Sequence, residues 1–293
     1  MLVQCRVCGG KARPRLQSVD FNRKLSDHKF TYYQCAECAS LALAVPPPDL
    51  DRYYPTDYYI LPASRHDLGI AAERERYKLD IVQRFVRTGR LLEIGPGPSA
   101  FAFLAKEAGF EVEAVEMDER CCQFLRDVVG VRATRSSDAR AVLERSLPLQ
   151  VVALWHVLEH LPNPMETLAA AAASLSPGGI LIIAAPNPAA TQLSLFGSRW
   201  THLDAPRHLQ LIPASFLNQR AAAWDLQTVL ETTTDEGGLG WNAFGWNVSL
   251  NHAASVVGLR VPALAAKVIC RLARPIERTG SRGTAYTLVL QKE

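Results

Sequence analysis

The sequence predicts an α/β fold: a doubly wound, mostly parallel sheet with an antiparallel edge pair, and a small cysteine-bearing module ahead of it. Three observations lead there. From residue 91 onward, apolar runs with strand character alternate with helical patterns of 10 to 15 residues, the signature of right-handed crossovers between parallel strands. The first of these runs ends in a glycine-proline turn, LLEIGPGPSAFAFL over residues 91–104. Two C-x-x-C pairs stand within the first 45 residues.

With 293 residues, 48% of them hydrophobic and 21% charged, the chain can bury one large core or one core with a small appendage. A formal net charge of +3 is too small to argue for a nucleic-acid partner, which requires a concentrated basic footprint. The opening residues show no signal-peptide pattern, and no stretch approaches the roughly 18 uninterrupted apolar residues of a membrane-spanning helix. A soluble, cytoplasmic chain is expected. Its seven cysteines suit that setting if four bind metal and Cys121, Cys122 and Cys270 stay reduced, because an odd number fits a closed disulfide framework badly.

Taken in order, residues 1–45 form the cysteine module, with short strands and turns. Residues 46–88 form a linker that opens PPPDLDRYYPTDYYILP, too broken for a regular element, and then read as one amphipathic helix over AAERERYKLDIVQRFVR. Residues 89–293 form the main domain. There LLEIG, FEVEAVEM, VRAT, LQVVALWHV and GGILIIAAPN read as strands, separated by helices over SAFAFLAKEAG, DERCCQFLRDVVG, DARAVLERS and PMETLAAAAASLSP. Asp118 and Asp138 stand at N-cap positions, and Gly109, Gly130 and Gly178 sit past helix ends. Beyond Asn187 come a polar and aromatic loop, TQLSLFGSRWTHLDAPRH, a helix near PASFLNQRAAAW, a strand DLQTVLETTTDE, a helical insertion over about 240–280, and a last strand TAYTLVLQKE. The two late strands would add the antiparallel pair.

Gly95, Gly97 and Ala100 satisfy the loose dinucleotide pattern G-x-G-x-x-(G/A). Pro96 and Pro98 lack N–H groups, however, and a pyrophosphate needs those donors. A nucleoside ligand without phosphates fits better. Glu116, about twenty residues beyond the turn, stands where a carboxylate reaches ribose hydroxyls in such folds.

The residues EIGPG (93–97), Glu116, the Asp138–Ala139 pair, WHVLEHL (155–161) and SPGGILIIAAPN (176–187), taken in that order, resemble a class I S-adenosylmethionine-dependent methyltransferase over roughly residues 75–235. The resemblance implies a seven-stranded Rossmann-like sheet with an antiparallel edge. It implies S-adenosylmethionine as cofactor, with its methionyl part against Glu93, Gly95 and Gly97, its ribose on Glu116, its adenine near Met117, Asp138 and Ala139, and its sulfonium near Trp155 and His156. Plainer roles stand beside these: a tight turn for the glycines, an N-cap for Asp138, orientation of loop amides for Glu93. The sequence departs from the family pattern at Ser99, where many members have a third glycine, and at Gln150, where aspartate often opens the strand. Ser99 narrows the room beside the methionyl part.

Methyl transfer is an in-line displacement, so positioning supplies most of the catalysis and a base adds to it. His156, His160, His202 and His208 fall in segments expected above the carboxyl ends of the strands. His160 is the first choice for general base and His208 the second; a structural role at a strand end is the competing reading. LDAPRHL (203–209) is similar to the segment that covers the acceptor in the quinone-type and sugar-modifying branch of the family. Arg207 offers a planar fork for a carboxylate or phosphate, or else braces that segment. His202, Tyr58 and Tyr59 are further candidate acceptor contacts, with interdomain packing as the alternative for the tyrosines. The expected acceptor is a small molecule, a sugar or sugar-linked biosynthetic intermediate.

Cys5, Cys8, Cys35 and Cys38 give two knuckles suited to one structural Zn2+, which about 45 residues need to make up for a small core. A redox pair is the alternative. The 26 residues between the pairs exceed the commonest ribbon spacing. The module carries Lys11, Arg13, Arg15, Arg23, Lys24 and Lys29, so RNA methylation through a basic ribbon is a second functional reading, although no aromatics are spaced to stack successive bases. A non-catalytic cofactor-binding regulator is a third. Finally, PALAAKVICRLAR puts Leu264, Val268 and Leu272 on one side and Lys267, Arg271 and Arg274 on another. This helix, residues 263–274, either packs on the sheet or lies on a membrane surface.

Overall fold

The structure, a computed structural model, describes residues 2–293. The amino-terminal module contributes four short strands: β1 (Val3–Gln4), β2 (Lys11–Ser18), β3 (Phe30–Cys35) and β4 (Leu41–Leu43). Helices α1 (Arg65–Glu73) and α2 (Arg76–Gln83) follow. The main domain then runs β5 (Gly89–Ile94), α3 (Ala100–Glu107), β6 (Phe110–Glu116), α4 (Glu119–Phe124, continued as a wider turn to Val129), β7 (Arg132–Arg135), α5 (Ala139–Leu143), β8 (Leu149–Trp155), α6 (Pro164–Ser174) and β9 (Leu175–Pro186). It closes with α7 (Thr191–Phe196), β10 (Gln210–Leu211), α8 (Ala214–Ala221), β11 (Leu226–Thr232), α9 (Glu236–Ala254), α10 (Ala263–Arg278) and β12 (Ala285–Lys292).

The large sheet has seven strands in the order β11-β12-β9-β8-β5-β6-β7. Pairs among β9, β8, β5, β6 and β7 are parallel, while β12 runs antiparallel to both β9 and β11. This is the Rossmann-like sheet with the expected antiparallel edge. Strand alternation sends Leu92, Ile94, Val152, Leu154, Leu181, Ile183 and Leu288 to one face, where they pack with α5, α6 and α8. Leu91, Val112, Ala114, Val151, Ala153, Ile180 and Val289 go to the other, against α1, α2, α3 and α4. Both faces are covered, which explains why the central strands are almost continuously apolar.

Asp118 caps α4 by accepting from the amides of Arg120 and Cys121, and Gly130 ends the following turn in the left-handed region at φ 74°. Gly178 has φ 77° but lies within the residues of β9. Three expectations need correction. Residues 71–87 are not one helix: the chain breaks at Arg74 and Glu75, so that Leu68 and Ala72 of α1 and Leu79 and Val82 of α2 can each reach the core. The segment after Asn187 is not a plain loop; it contains α7 and two short 3₁₀ turns, Gly197–Arg199 and Thr201–Leu203. The apolar side of residues 263–274 does not pack on the sheet; α10 turns its small residues inward instead, with Ala266 and Cys270 buried and Leu264, Val268 and Leu272 exposed.

The amino-terminal sheet is β1-β2-β3-β4-β10. Its last strand comes from the segment between β9 and α8, where Gln210 and Leu211 pair with Ala42 and Leu41. Phe30, Tyr32, Leu41 and Leu43 share a buried cluster with Trp200, Leu203, Leu209 and Leu211. The module is thus stapled to the main domain by both a strand pair and a common core.

Candidate active site

The turn after β5 is built around two glycines. Gly95 and Gly97 have φ of 61° and 58°, a region that L side chains rarely occupy. Each also lacks room for a side chain, since a Cβ at Gly95 would lie 2.7 Å from Val157 and one at Gly97 would lie 2.8 Å from the Tyr59 ring. Glu116, at the end of β6, accepts from Gly97 N at 2.9 Å through one oxygen and from Met117 N and Asp118 N at 2.7 and 2.9 Å through the other. These amides hold a buried carboxylate with about one lone-pair site left over. Glu93 is also buried, and burial pushes its carboxyl up to about 7. Ser99, the departure from the glycine pattern, donates to Glu93 at 2.6 Å while its Oγ accepts from Ala102 N, so the same hydroxyl caps α3 and fixes the acid.

A cleft of about 260 Å³ opens beside this turn, lined by Glu93, Pro96, Ser99, Trp155, Lys78 and Ile60. Lys78 is bonded to Glu75 at 2.6 Å and lies 5.3 Å from the Trp155 ring. Sequence reading missed it: on α2 it looks like one more surface cation, and only the fold brings it to the glycine turn. A second cleft of about 230 Å³ is lined by Ser137, Asp138, Ala139 and Leu161. Asp138 accepts from Ala141 N at 3.2 Å and so caps α5. Ala139 is buried, and Met117 is 56% exposed.

The other half of the site gathers at the carboxyl end of β8. His156 adopts φ 56°, a left-handed conformation that bends the chain away from the sheet at a cost of about 1 kcal/mol. Its ring packs 4.9 Å from Trp241 of α9, and its Nδ1 is 3.8 Å from Glu159. Burial holds this imidazole well below its usual titration range. The Nδ1 of His160 lies 3.0 Å from the carbonyl of Arg207 and 3.0 Å from the Tyr54 hydroxyl. The Nδ1 of His208 lies 2.8 Å from the carbonyl of His202. A carbonyl only accepts, so both rings carry their proton on Nδ1 and keep an unprotonated Nε2. The two rings are 4.7 Å apart. Burial lowers both histidines, His208 to about 3, and raises the neighbouring Glu159 to about 8. Glu159 Oε2 is buried and has no hydrogen-bond partner among the described residues. At neutral pH the cluster is therefore two neutral imidazoles beside a protonated carboxyl. One ligand-capable atom from each of Glu159, His160 and His208 also falls within 4.8 Å of the others, a spacing that a divalent cation can bridge.

The tyrosine segment closes the site. Tyr54, Tyr58 and Tyr59 pack successively with ring centroids 5.0 Å apart, the first pair tilted at 58° and the second edge-to-face at 87°. Tyr58 lies under the Arg23 guanidinium at 4.6 Å, and Tyr59 stands over Gly97. Arg207 is not open to an acceptor. It is 1% exposed and saturated by Asp20 at 2.7 Å and Asp204 at 2.6 Å, so it ties the amino-terminal module to the segment 203–209. His202 is buried among Trp200, Trp241 and Phe244, bonds the Trp241 carbonyl at 3.3 Å, and is lowered to about 4 by burial.

In the amino-terminal module the sulfurs of Cys5, Cys8, Cys35 and Cys38 lie within 4.8 Å of one another. Val7 N, Gly10 N and Glu37 N each donate to a sulfur at 3.4 Å. Four converging thiols with amides aimed at them are a donor set that fits a tetrahedral metal ion.

A doubly wound sheet with an antiparallel edge, and a tight glycine turn whose amide bonds a buried carboxylate at the end of the next strand, are the fold of a class I methyltransferase. The family profile described as a methyltransferase domain matches residues 70–231. The chain belongs to this family of S-adenosylmethionine-dependent enzymes. A ubiquinone biosynthesis O-methyltransferase of Caulobacter sp. (strain K31) is 31% identical over 111 residues, which are 36% of this chain and 44% of that protein. The chain thus matches less than half of that relative's length. Among solved structures, a proposed sarcosine dimethylglycine methyltransferase of Galdieria sulphuraria superimposes with a TM-score of 0.50 at 14% identity, covering 76% of this chain and 86% of its own. A SAM-dependent methyltransferase from Archaeoglobus fulgidus gives a TM-score of 0.49 at 22% identity, over 78% of this chain and 95% of its own. The Galdieria likeness agrees with the fold.

Proposed function

We propose that the chain transfers a methyl group from S-adenosylmethionine to a small acceptor, a sugar or sugar-linked biosynthetic intermediate. The carrying observation is the pair of histidines, His160 and His208, whose Nδ1 atoms each face a backbone carbonyl and so leave Nε2 unprotonated, close to the buried Glu159. When bound, the cofactor supplies an electrophilic methyl on a sulfonium. Lys78 and Glu93 would take the carboxylate and ammonium of its methionyl part, Gly95 and Gly97 would let it approach backbone, Glu116 would accept from the ribose, and Met117, Asp138 and Ala139 would border the adenine. Trp155 and His156 would flank the sulfonium.

On the acceptor side, His160 would remove a proton as the new bond forms, with His208 as the second candidate. A protonated Glu159 would donate a hydrogen bond, and Tyr54 and Tyr58 would shape the cavity, while Tyr59 presses on the donor. The Caulobacter relative is named for O-methylation, which supports a hydroxyl acceptor over an acidic carbon. Arg207 acts as a brace and His202 as the support for His208. Residues 1–45 form a zinc ribbon with a structural ion on the four cysteines; residues 46–88 link it to the methyltransferase domain and cover the cleft.

The test is a donor-dependent methylation screen of nucleotide sugars, lipid-linked sugars and RNA, reading S-adenosylhomocysteine release. Methylation confined to RNA would replace the sugar reading, and tight donor binding with no acceptor in any class would replace it with that of a regulator.

A further inference from the structure

Helix α10 presents three faces. Ala266, Cys270 and Glu277 are buried, and Glu277 accepts from Trp246 Nε1 at 2.8 Å and Gln192 Nε2 at 3.0 Å, which fixes the helix against α9 and α7. On the opposite side Leu264, Val268, Leu272 and Ile276 recur at every fourth residue and are 74%, 50%, 73% and 53% exposed. At about 100° per residue they form one apolar row. Lys267, Arg271, Arg274 and Arg278 flank that row, are exposed, and make no ion pair among the described residues. Buried Glu277 is the helix's one acid. Leu259 and Arg260, just before the helix, extend the same mixture, with Leu259 64% exposed.

We propose that α10 docks the protein on an anionic lipid surface, lying in the plane of the interface with its leucine, valine and isoleucine row at the acyl boundary and its cations among the headgroups. An exposed apolar row bordered by unpaired cations is the arrangement such helices use. No helix among the described residues is long and apolar enough to cross a membrane, so the contact is peripheral. A second copy of the chain is the poorer occupant: a two-fold contact through this row would bring the two sets of four cations together. The docking surface stands independently of the methyl-transfer reading, because it rests on α10 alone. It does lie one helix from the site, since α9 carries both Trp246, against Glu277, and Trp241, against His156.

The experiment is flotation of the full chain with vesicles of phosphatidylcholine alone and of phosphatidylcholine with phosphatidylglycerol, at low and high salt. The wild type should float with the anionic vesicles, at least about tenfold better than with the neutral ones, and should be released by salt. Leu264→Ser with Leu272→Ser should weaken flotation by about tenfold or more, and Lys267→Gln with Arg271→Gln and Arg274→Gln by about a hundredfold. All five side chains are exposed, and circular dichroism melting of each variant checks that the fold is kept. A wild type that floats with no vesicle overturns the proposal, as do folded variants that float as well as the wild type. A dimer in sedimentation that Leu264→Ser with Leu272→Ser dissolves, without vesicle binding, would give the surface to a second copy.

Discussion

At the scale of single residues, the proposed role of His160 as base depends on which of its nitrogens carries the proton. The Arg207 carbonyl, 3.0 Å from Nδ1, can only accept, so the tautomer that leaves Nε2 basic is built in. His160→Ala should therefore lower kcat by roughly 100- to 10,000-fold while leaving donor affinity unchanged, measured by initial rates and by calorimetry with S-adenosylhomocysteine. Turnover at the wild-type rate would reduce the ring to a wall of the cleft. On the proposed donor side, Glu116 holds three backbone amides and keeps about one lone-pair site for a ribose hydroxyl. Glu116→Ala should weaken S-adenosylhomocysteine binding by about 10- to 100-fold, the worth of a hydrogen bond to a charged group. Unchanged affinity would move the ribose elsewhere. Lys78 and Arg207 show the limits of reading residues one at a time. A lysine on an amphipathic helix carries no mark of the cleft that another element completes, and an arginine suited to an acceptor's anion is equally suited to Asp20, which lies 187 positions away in the chain.

At the scale of elements, the strands and helices of the sheet were legible because each apolar run has one period and one set of end signals. Asp118 and Gly130, for example, bracket α4 and its wider last turn as expected. β10 was not legible: two residues hold no period, and its partner β4 lies in the other module. The break between α1 and α2 was hidden for a related reason, since the charged residues 73–76 continue a helical pattern whichever way the chain bends. β10, the Arg207 bridge and the shared cluster around Trp200 tie the amino-terminal module to the segment proposed to wall the acceptor. Its four cysteines should then matter beyond their own strands. Elemental analysis should find about one zinc per chain. Removing it with a strong chelator should lower the melting temperature and change Trp200 fluorescence together with acceptor turnover, because loss of the metal folding energy loosens Asp20 and β4 at once. Asp20→Asn should reproduce the loss of turnover with zinc retained. A metal-free chain that melts and turns over like the wild type would dismiss the structural ion.

At the scale of the whole molecule, the buried histidines and the buried carboxyls push stability in opposite directions with pH. His202 and His208 are lowered to about 4 and about 3 by burial, and His156 falls well below its usual range. The unfolded chain binds those protons first as pH falls below about 6.5, so the histidines' contribution is present above that pH and is lost toward acid. Glu93 and Glu159 are raised to about 7 and about 8 by burial. Between about 4.5 and those values the native state holds protons that the unfolded state has released, so their contribution is full below about 4.5 and declines as pH rises through 7 and 8. From about 4.5 to 6.5 the histidines' gain opposes the carboxyls' loss, and above 6.5 only the loss remains. Stability of the ligand-free protein should therefore peak near pH 6.5 and fall by roughly 1.4 kcal/mol per unit for each carboxyl still titrating, read from urea midpoints at fixed ionic strength. Thiolate–metal bonds weaken only toward acid and leave the alkaline limb clean. Glu159→Gln, which keeps the shape and cannot ionise, should flatten the segment between pH 7 and 8, whereas a Glu159 that stays ionised in the folded protein would give wild type and variant parallel curves there.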